Sequence, residues 1–252
     1  MATAVRTDEA FAAEERRLRR DLAACYRLCA LFGWDDHIAT HISARLPDGT
    51  FLLNPFGLMF EEITASNLMR VDMEGNVISP EGYPMNPAAY TIHSAVLAGR
   101  PDANCAIHLH TRDGAAVSAT AEGLLPLNQT ALLIHHDIAY HDFEGIATDL
   151  EERERLQADL GNKNLMILRN HGTLALGASI GTAFFRIYNL EWACTTQVRT
   201  LGMGRELQLP SQAALDQMAE QMLWAGNSDI AGATFWPAML RKAERDCPGF
   251  DD

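Results

Sequence analysis

The segment from Cys105 to Thr111 restricts the fold of this chain more than any other. Its apolar start, Cys105-Ala106-Ile107, is typical of a buried strand, and His108 and His110 follow at a spacing of two. Side chains two residues apart on a strand lie on the same face, so both imidazoles would point to one place. That spacing is typical of a pair of metal ligands.

A third histidine follows a second apolar run. Residues 165–168 are all apolar, His171 comes three residues later, and the turn-permitting Gly172 follows it. A lone buried histidine is usually a hydrogen-bonded core residue, whereas two imidazoles on one strand face need a cation or acids to satisfy their nitrogens. We therefore predict a metal site formed by His108, His110 and His171.

Three neutral imidazoles leave the full charge of a bound ion to polarise an oxygen, and an open position admits substrate or water. Zinc is the first expectation for this site. Nitrogen ligands suit iron, cobalt, manganese and nickel equally well, so the ligand type alone does not choose among them.

Composition excludes several classes of partner. The 252 residues are 48% hydrophobic and carry a net charge of -13, which argues against a nucleic-acid groove or an anionic membrane surface. We expect a small-molecule partner. The five scattered cysteines predict neither a disulfide framework nor a thiolate zinc site. No apolar stretch has the length of a signal peptide or a membrane span, so we expect a cytoplasmic protein.

Hydrophobic periodicity predicts the order of the secondary-structure elements. Helices are expected at residues 7–32, from Pro87 to about 98, 113–120, 148–160 with Thr148 as cap, and 180–201. Strands are expected at residues 37–45, 50–53, 68–71, 132–140, 165–168 and 173–176, the first three as an antiparallel meander. We expect one domain, with a helical tail from about residue 205. The helix at 180–201 is apolar nearly all round, which predicts an oligomer contact.

Other ionisable residues allow two interpretations each. His93 lies on the helix before the metal strand and either packs against the metal layer or takes part in the chemistry. The strand predicted at 132–140 would point His135 and His136 to opposite faces. His141 is either a hydrogen-bonded turn residue or part of a site. Glu61 and Glu62 are adjacent, and either one is an acid/base or both are solvated.

Four motifs in order resemble the class II aldolase and adducin family over residues 18–201. They are Asn54-Pro55-Phe56-Gly57, Arg100-Pro101-Asp102-Ala103, His108-Leu109-His110-Thr111 and Asn170-His171-Gly172. The resemblance implies an α/β fold, a three-layer α/β/α sandwich with a mainly antiparallel central sheet. It also implies a homotetramer with active sites between subunits and a divalent metal, typically zinc, on the three histidines.

The chain departs from the sugar-phosphate aldolases of that family. They carry Ser-Ser-Glu before the metal strand, where this chain has Pro87-Ala88-Ala89. Ala89 thus replaces the glutamate acid/base, while Pro87, Ala88 and Phe56 replace hydroxyl side chains that hold phosphate. Without those hydroxyls a phosphate loses several hydrogen bonds. We expect an unphosphorylated substrate, with an aromatic or apolar part against Phe56 and Tyr90, and a closer likeness to the adducin branch.

The leading hypothesis is a divalent-metal-dependent lyase, of retro-aldol or decarboxylation type, acting on an unphosphorylated hydroxy-carbonyl or oxo-acid. His41, Tyr90 and His93 are the candidates for proton transfer. Substrate contacts are expected from Asn54, Phe56, Gly57 and Asn86. Two alternatives stay open: a non-haem iron oxygenase on the same fold, which metal identity would distinguish, and a non-catalytic adducin-like interaction module.

Overall fold

The strands form a single mixed sheet. The computed structural model describes residues 2–79, 82–225 and 231–252, and within them eight strands pair in the order β4-β3-β2-β1-β5-β8-β7-β6. They are β1 (His41–Arg45), β2 (Phe51–Leu53), β3 (Met69–Val71), β4 (Val77–Ser79), β5 (Cys105–Leu109), β6 (Ile138–His141), β7 (Leu165–Leu168) and β8 (Gly172–Gly177). Neighbouring strands are antiparallel except for the parallel pair β6 and β7. The predicted α/β class and mainly antiparallel sheet are confirmed.

Helices cover both faces of the sheet. They are α1 (Ala2–Leu31), α2 (Pro87–Gly99), α3 (Arg112–Ser118), α4 (Gln129–Ile134), α5 (Glu152–Leu160), α6 (Ile180–Gly202), α7 (Gln212–Ala225) and α8 (Trp236–Asp246). One core joins the sheet to α1, α6 and α8, and a second joins it to α2 and α5. Among the described residues, no helix is both long and apolar enough to cross a bilayer.

The alternation of β5 decides on which face the histidines lie. Cys105, Ile107 and Leu109 belong to the core against α1 and α6, whereas Ala106 belongs to the core against α2 and α5. His108 has the parity of Ala106 and is fully buried. The metal-ligand candidates therefore lie on the α2 and α5 side of the sheet.

The predicted strand at 132–140 is largely wrong. Asn128 accepts a hydrogen bond from the Ala131 amide at 2.9 Å and caps α4, a helix that takes up the apolar residues as far as Ile134. A 3-10 turn, His135–Asp137, follows and only Ile138–His141 forms a strand. His135 and His136 consequently lie in a turn and not on opposite faces of a strand.

Two predicted boundaries are also wrong. The first strand begins at His41, because His37 lies in a turn with a left-handed φ of 49°. Helix α5 begins at Glu152, and the Thr148 hydroxyl donates to the carbonyl of Ile146 at 3.4 Å instead of capping the helix. Helices α2 and α6 and the β7–β8 hairpin lie close to where the sequence predicts them.

Helix α8, in the chain beyond residue 205, packs on α1. Arg20 pairs with Glu244 of α8 at 2.6 Å, and the indole N–H of Trp236 donates to Asp21 at 3.3 Å. These contacts hold α8 beside α1, while the prediction of one domain with a helical tail stays a prediction.

Candidate metal centre

Three imidazoles converge where β5 meets the β7–β8 hairpin. His108 lies in β5, His110 directly follows it, and His171 lies in the turn between β7 and β8. The Nε2 atoms of His108 and His110 are 2.9 Å apart, those of His110 and His171 2.8 Å, and those of His108 and His171 3.3 Å. The structure thus brings together the three predicted ligands.

Contacts at the other ring nitrogens fix the tautomers of two rings. The Nδ1 atom of His108 lies 3.0 Å from the carbonyl oxygen of Thr173, and that of His110 lies 3.2 Å from a carboxylate oxygen of Asp36. Both oxygens only accept, so each Nδ1 carries the proton. Each Nε2 therefore presents a lone pair to the shared point, as in sites where an outer carboxylate or carbonyl orients a metal-bound histidine.

The backbone around His171 is held in an unusual conformation. Asn170 adopts a left-handed φ of 56°, which asparagine tolerates better than most residues. The Asn170 amide donates to the Ser118 carbonyl at 3.1 Å, and the His171 amide donates to the Ser118 hydroxyl at 3.2 Å. Helix α3 thereby fixes the turn that presents the third imidazole.

The donor set fits a divalent cation. Nitrogens about 2.0–2.1 Å from a tetrahedral zinc lie about 3.3 Å from one another, close to the separations in this cluster. Burial lowers the pKa of His171 to about 4 and, with the neighbouring imidazoles, holds the pKa of His108 well below its usual range. Neutral rings are the form that binds a metal ion. In the part of the chain that the structure describes, these three residues form a group able to hold an ion.

His41 and His93 form a buried chain beside the ligands. Strand pairing places His41 opposite His108, with ring centroids 4.9 Å apart. His41 Nδ1 is hydrogen-bonded to His93 Nε2 at 2.8 Å, and the other ring nitrogen of His93 is hydrogen-bonded to the Ser43 hydroxyl. Burial lowers the pKa of His93 to about 3 and that of His41 well below its usual value. Two of the three predicted proton-transfer residues therefore adjoin the metal centre.

Tyr90 is directed elsewhere. Its hydroxyl donates to the Met73 carbonyl at 2.9 Å, and its ring would contact a Cβ atom at Gly75. Both partners belong to the turn between β3 and β4. The structure does not join Tyr90 to the histidines by any described hydrogen bond, and its proposed role in proton transfer stays a prediction.

The predicted substrate residues lie in two adjoining loops. The Phe56 amide donates to the Pro84 carbonyl at 3.0 Å, which ties the loop of Gly57 to the segment preceding α2. Asn86 caps α2 by accepting from the Ala88 amide at 3.0 Å. The amide oxygen of buried Asn54 accepts from the Tyr26 hydroxyl at 2.9 Å. Both asparagines thus have structural partners, and their contact with substrate stays a prediction.

Sequence reasoning missed a buried carboxyl behind the site. Glu191 of α6 accepts hydrogen bonds from the hydroxyls of Thr111 and Thr173, the latter at 2.5 Å. Thr111 follows His110, and the Thr173 carbonyl orients His108, so Glu191 braces both ligand strands. Burial raises the pKa of Glu191 to about 7. No local pattern marks a residue 80 positions away from its partner.

Comparison with known proteins now identifies the family. The sequence profile of the class II aldolase and adducin N-terminal domain matches residues 20–198. This chain belongs to the class II aldolase and adducin family. The predicted family membership is confirmed, and the three histidines are the metal-site candidate within it.

Several relatives in this family align over most of the chain. A Caulobacter vibrioides protein provisionally named a class 2 aldolase is 52% identical over 94% of this chain and 93% of its own length. Mouse alpha-adducin is 48% identical to this chain. The alignment covers 74% of this chain and 26% of that longer protein. A solved aldolase II superfamily protein from Pseudomonas syringae superposes with a TM-score of 0.89 at 48% identity, covering 94% of this chain and 96% of that one.

The name of an enzyme also occurs among the structural relatives. The L-fuculose 1-phosphate aldolase from Glaciozyma antarctica superposes with a TM-score of 0.82 at 27% identity, covering 95% of this chain and 94% of that one. The fold is thus shared, along nearly its whole length, with a protein named as an aldolase.

Proposed function

We propose that this protein is a divalent-metal-dependent lyase. It cleaves a carbon-carbon bond of an unphosphorylated hydroxy-carbonyl or oxo-acid, by retro-aldol or decarboxylation chemistry. The observation that carries this proposal is the convergence of three Nε2 atoms within 2.8–3.3 Å of one another. In two of these rings, His108 and His110, the Nδ1 atom is already hydrogen-bonded to an oxygen. The name of the Glaciozyma antarctica relative, an aldolase, supports the reaction class.

The chemistry divides between the ion and the chain. When bound, a divalent cation supplies positive charge that polarises a carbonyl oxygen and stabilises an enolate. His108, His110 and His171 hold it, with zinc as the first expectation and iron, manganese, cobalt or nickel as the others. The hydrogen-bonded pair His41 and His93 offers a buried path for a proton beside the ligands.

The proposal of an unphosphorylated substrate depends on the absence of hydroxyl and acid groups at four positions. Phe56, Pro87 and Ala88 have no hydroxyl with which to hold a phosphate. Ala89 is fully buried in an apolar cluster with Phe51 and Leu53 and offers no acid or base. We propose that the substrate lacks phosphate and that a group other than residue 89 transfers the proton.

The first test is metal content and anaerobic cleavage. Protein purified without added metal is analysed for zinc, iron, manganese, cobalt and nickel, then assayed against a panel of hydroxy-ketones and oxo-acids by proton NMR. We expect a stoichiometric divalent metal and anaerobic cleavage, both lost in the double variant H108A/H110A and kept in His136→Ala, an exposed histidine of the 3-10 turn.

Three outcomes would contradict the proposal. Bound iron with oxygen uptake would indicate the oxygenase. Activities unaffected by loss of His108 and His110 would indicate the adducin-like interaction module. Saturable turnover of a sugar phosphate at metabolic concentrations would refute the unphosphorylated substrate.

We also propose that the chain assembles as a homotetramer. Trp192 and Leu201 of α6 are 56% and 43% exposed, and Met203 just beyond is 69% exposed, an apolar surface that a second copy would cover. Sedimentation velocity should give four times the chain mass of 27.8 kDa. Trp192→Glu should lower that mass, and a monomeric wild type would refute the assembly.

A further inference from the structure

A second histidine flanks the metal centre on the side opposite to His41. Across the sheet, His41 lies on β1, His108 on β5, His171 between β8 and β7, and His141 on β6. The strand order therefore places the predicted ligands between two further imidazoles. His141 belongs to none of the roles assigned above.

A narrow cleft lies between His141 and the ligand candidate His171. His141, Glu152, Phe143, Arg169 and His171 are among its lining residues, and its volume of about 10 Å³ corresponds to roughly one water molecule. Phe143 lies over this region, with its ring centroid 6.4 Å from that of His171. The imidazoles of His141 and of the ligand candidate His171 thus line one small cleft.

One ring nitrogen of His141 makes a hydrogen bond, and the other makes none among the described residues. The Nδ1 atom lies 2.7 Å from a carboxylate oxygen of Asp159, an acceptor, so Nδ1 donates. The Nε2 atom has no hydrogen-bond partner among the described residues, although the side chain is only 3% exposed. An oxygen of Glu152 lies 3.5 Å from Nε2, within ion-pair distance but outside hydrogen-bond geometry. Buried polar nitrogens are normally satisfied, so this one points to a ligand group.

The same arrangement occurs where a carboxylate orients a histidine general base. Two acidic groups flank the ring, Asp159 at Nδ1 and Glu152 3.5 Å from Nε2. His93 offers no such nitrogen, because Ser43 and His41 occupy both of its own. His141 is therefore better placed than His93 to meet a substrate directly.

We propose that His141 is a further catalytic residue of the lyase proposed above, on which this inference rests. Its Nε2 lone pair takes the proton of a substrate hydroxyl that lies β to the carbonyl. The carbon-carbon bond breaks, the hydroxyl carbon becomes a carbonyl, and the bond's electron pair passes to the adjacent carbon as an enolate. The imidazolium, held by Asp159, returns the same proton to that carbon, so His141 ends the cycle neutral.

The test uses zinc-loaded protein and hydroxyacetone, an unphosphorylated hydroxy-ketone, as probe. Exchange of its carbon-bound hydrogens in D₂O, followed by NMR, reports the proton step at carbon. The variants are His141→Gln, which removes the base, and Asp159→Asn, which removes its orienting carboxylate. Glu154→Gln changes an exposed carboxylate on the same helix and serves as control.

We expect His141→Gln to slow exchange about 100-fold or more, the usual scale for loss of a general base. The zinc content of this variant should stay unchanged. Asp159→Asn should slow exchange with zinc retained, and Glu154→Gln should match the wild type. The ¹⁵N spectrum should show His141 with its proton on Nδ1.

The outcomes separate this inference from the lyase itself. Suppose that H108A/H110A loses the hydrogen exchange seen in the wild type, but His141→Gln keeps it. That result would overturn the role of His141 and leave the lyase intact. Absence of exchange in the wild type would overturn the role of His141, whereas the lyase is decided by the substrate panel described above. A proton on Nε2 would overturn the role of His141 without any reference to activity. If His141→Gln does not fold, unchanged exchange in Asp159→Asn decides against the proposal.

Discussion

His110 is held in its ligand orientation by a single carboxylate. Asp36 accepts from its Nδ1 at 3.2 Å and is itself 44% exposed. Loss of such an outer partner typically lowers metal affinity about 10–100-fold. Because Asp36 is exposed, we expect a loss near the smaller of these values. We predict that Asp36→Asn weakens zinc binding about 10-fold, measured by competition with a chromophoric chelator.

The neighbouring Asp35 provides the matched control for this prediction. It is half-buried and directly precedes Asp36 in the chain, so Asp35→Asn removes the same charge without the contact to His110. Equal losses of affinity in the two variants would show that general charge, and not the orientation of the imidazole, supports binding.

Glu191 makes the stability of the metal-free protein depend on pH. Burial raises the pKa of its carboxyl from 4.5 to about 7, so the folded state holds the proton more tightly than the unfolded chain. The contribution of this tighter proton binding to the free energy of unfolding is fully present below pH 4.5 and is lost as the pH rises through about 7. At about 1.4 kcal/mol per unit of pKa, the loss approaches about 3 kcal/mol by pH 8.

Glu191→Gln should remove that dependence. Glutamine keeps the shape but cannot ionise, and the hydroxyls of Thr111 and Thr173 can either donate or accept. We predict that the variant gains about 2–3 kcal/mol relative to the wild type between pH 5 and pH 8, measured by urea denaturation at both values. Parallel pH curves for the two proteins would show that Glu191 does not titrate in this range.

Close pairing of β5 with β8 leaves no room for a side chain at Gly172. A Cβ atom there would lie 2.3 Å from the Leu109 carbonyl oxygen and 3.0 Å from the His110 ring. We predict that Gly172→Ala separates the two strands, costs about 1–3 kcal/mol or more of unfolding free energy, and weakens zinc binding. Thermal denaturation and chelator competition measure the two effects.

Gly202, at the end of α6, offers the matched comparison. A Cβ atom there meets nothing within 4 Å, so Gly202→Ala should be neutral or slightly stabilising. If Gly172→Ala bound zinc as tightly as Gly202→Ala, the strand spacing would not control the ligand geometry.

Local periodicity explains which elements of the site were predictable. The alternation of a strand places His108 and His110 within a few residues of one another, and a turn signal marks His171, so all three follow from the sequence. Asp36 is 74 positions from its partner His110, and Glu191 is 80 positions from its partner Thr111. No local sequence pattern predicts contacts over such separations. The availability of His141 Nε2 depends likewise on how α5 packs against β6.

The errors in the predicted elements have equally local causes. The run Leu132-Leu133-Ile134 is uniformly apolar and too short to distinguish a helix from a strand, and the cap at Asn128 decided in favour of a helix. Strand β4 escaped prediction because it is three residues long at the sheet edge, where Ile78 is 46% exposed. Short edge strands carry little hydrophobic signal.

Metal binding should stabilise the whole molecule, because the three ligands come from segments that meet only in the folded chain. An ion that binds the folded state alone adds about 2.7 kcal/mol when its free concentration is 100 times Kd. For a chain of this size, each kcal/mol raises the melting temperature by about 2–4 °C. We predict that zinc at that concentration raises the Tm by about 5–10 °C, measured by calorimetry at constant protein concentration.

The histidine variants show whether this shift comes from the predicted site. H108A/H110A should lose the zinc-dependent shift, whereas His136→Ala should keep it, because His136 lies exposed outside the cluster. The comparison is independent of any substrate. An equal shift in H108A/H110A would place the stabilising ion elsewhere, and since the lyase depends on an ion at these ligands, it would contradict the proposed function together with the site.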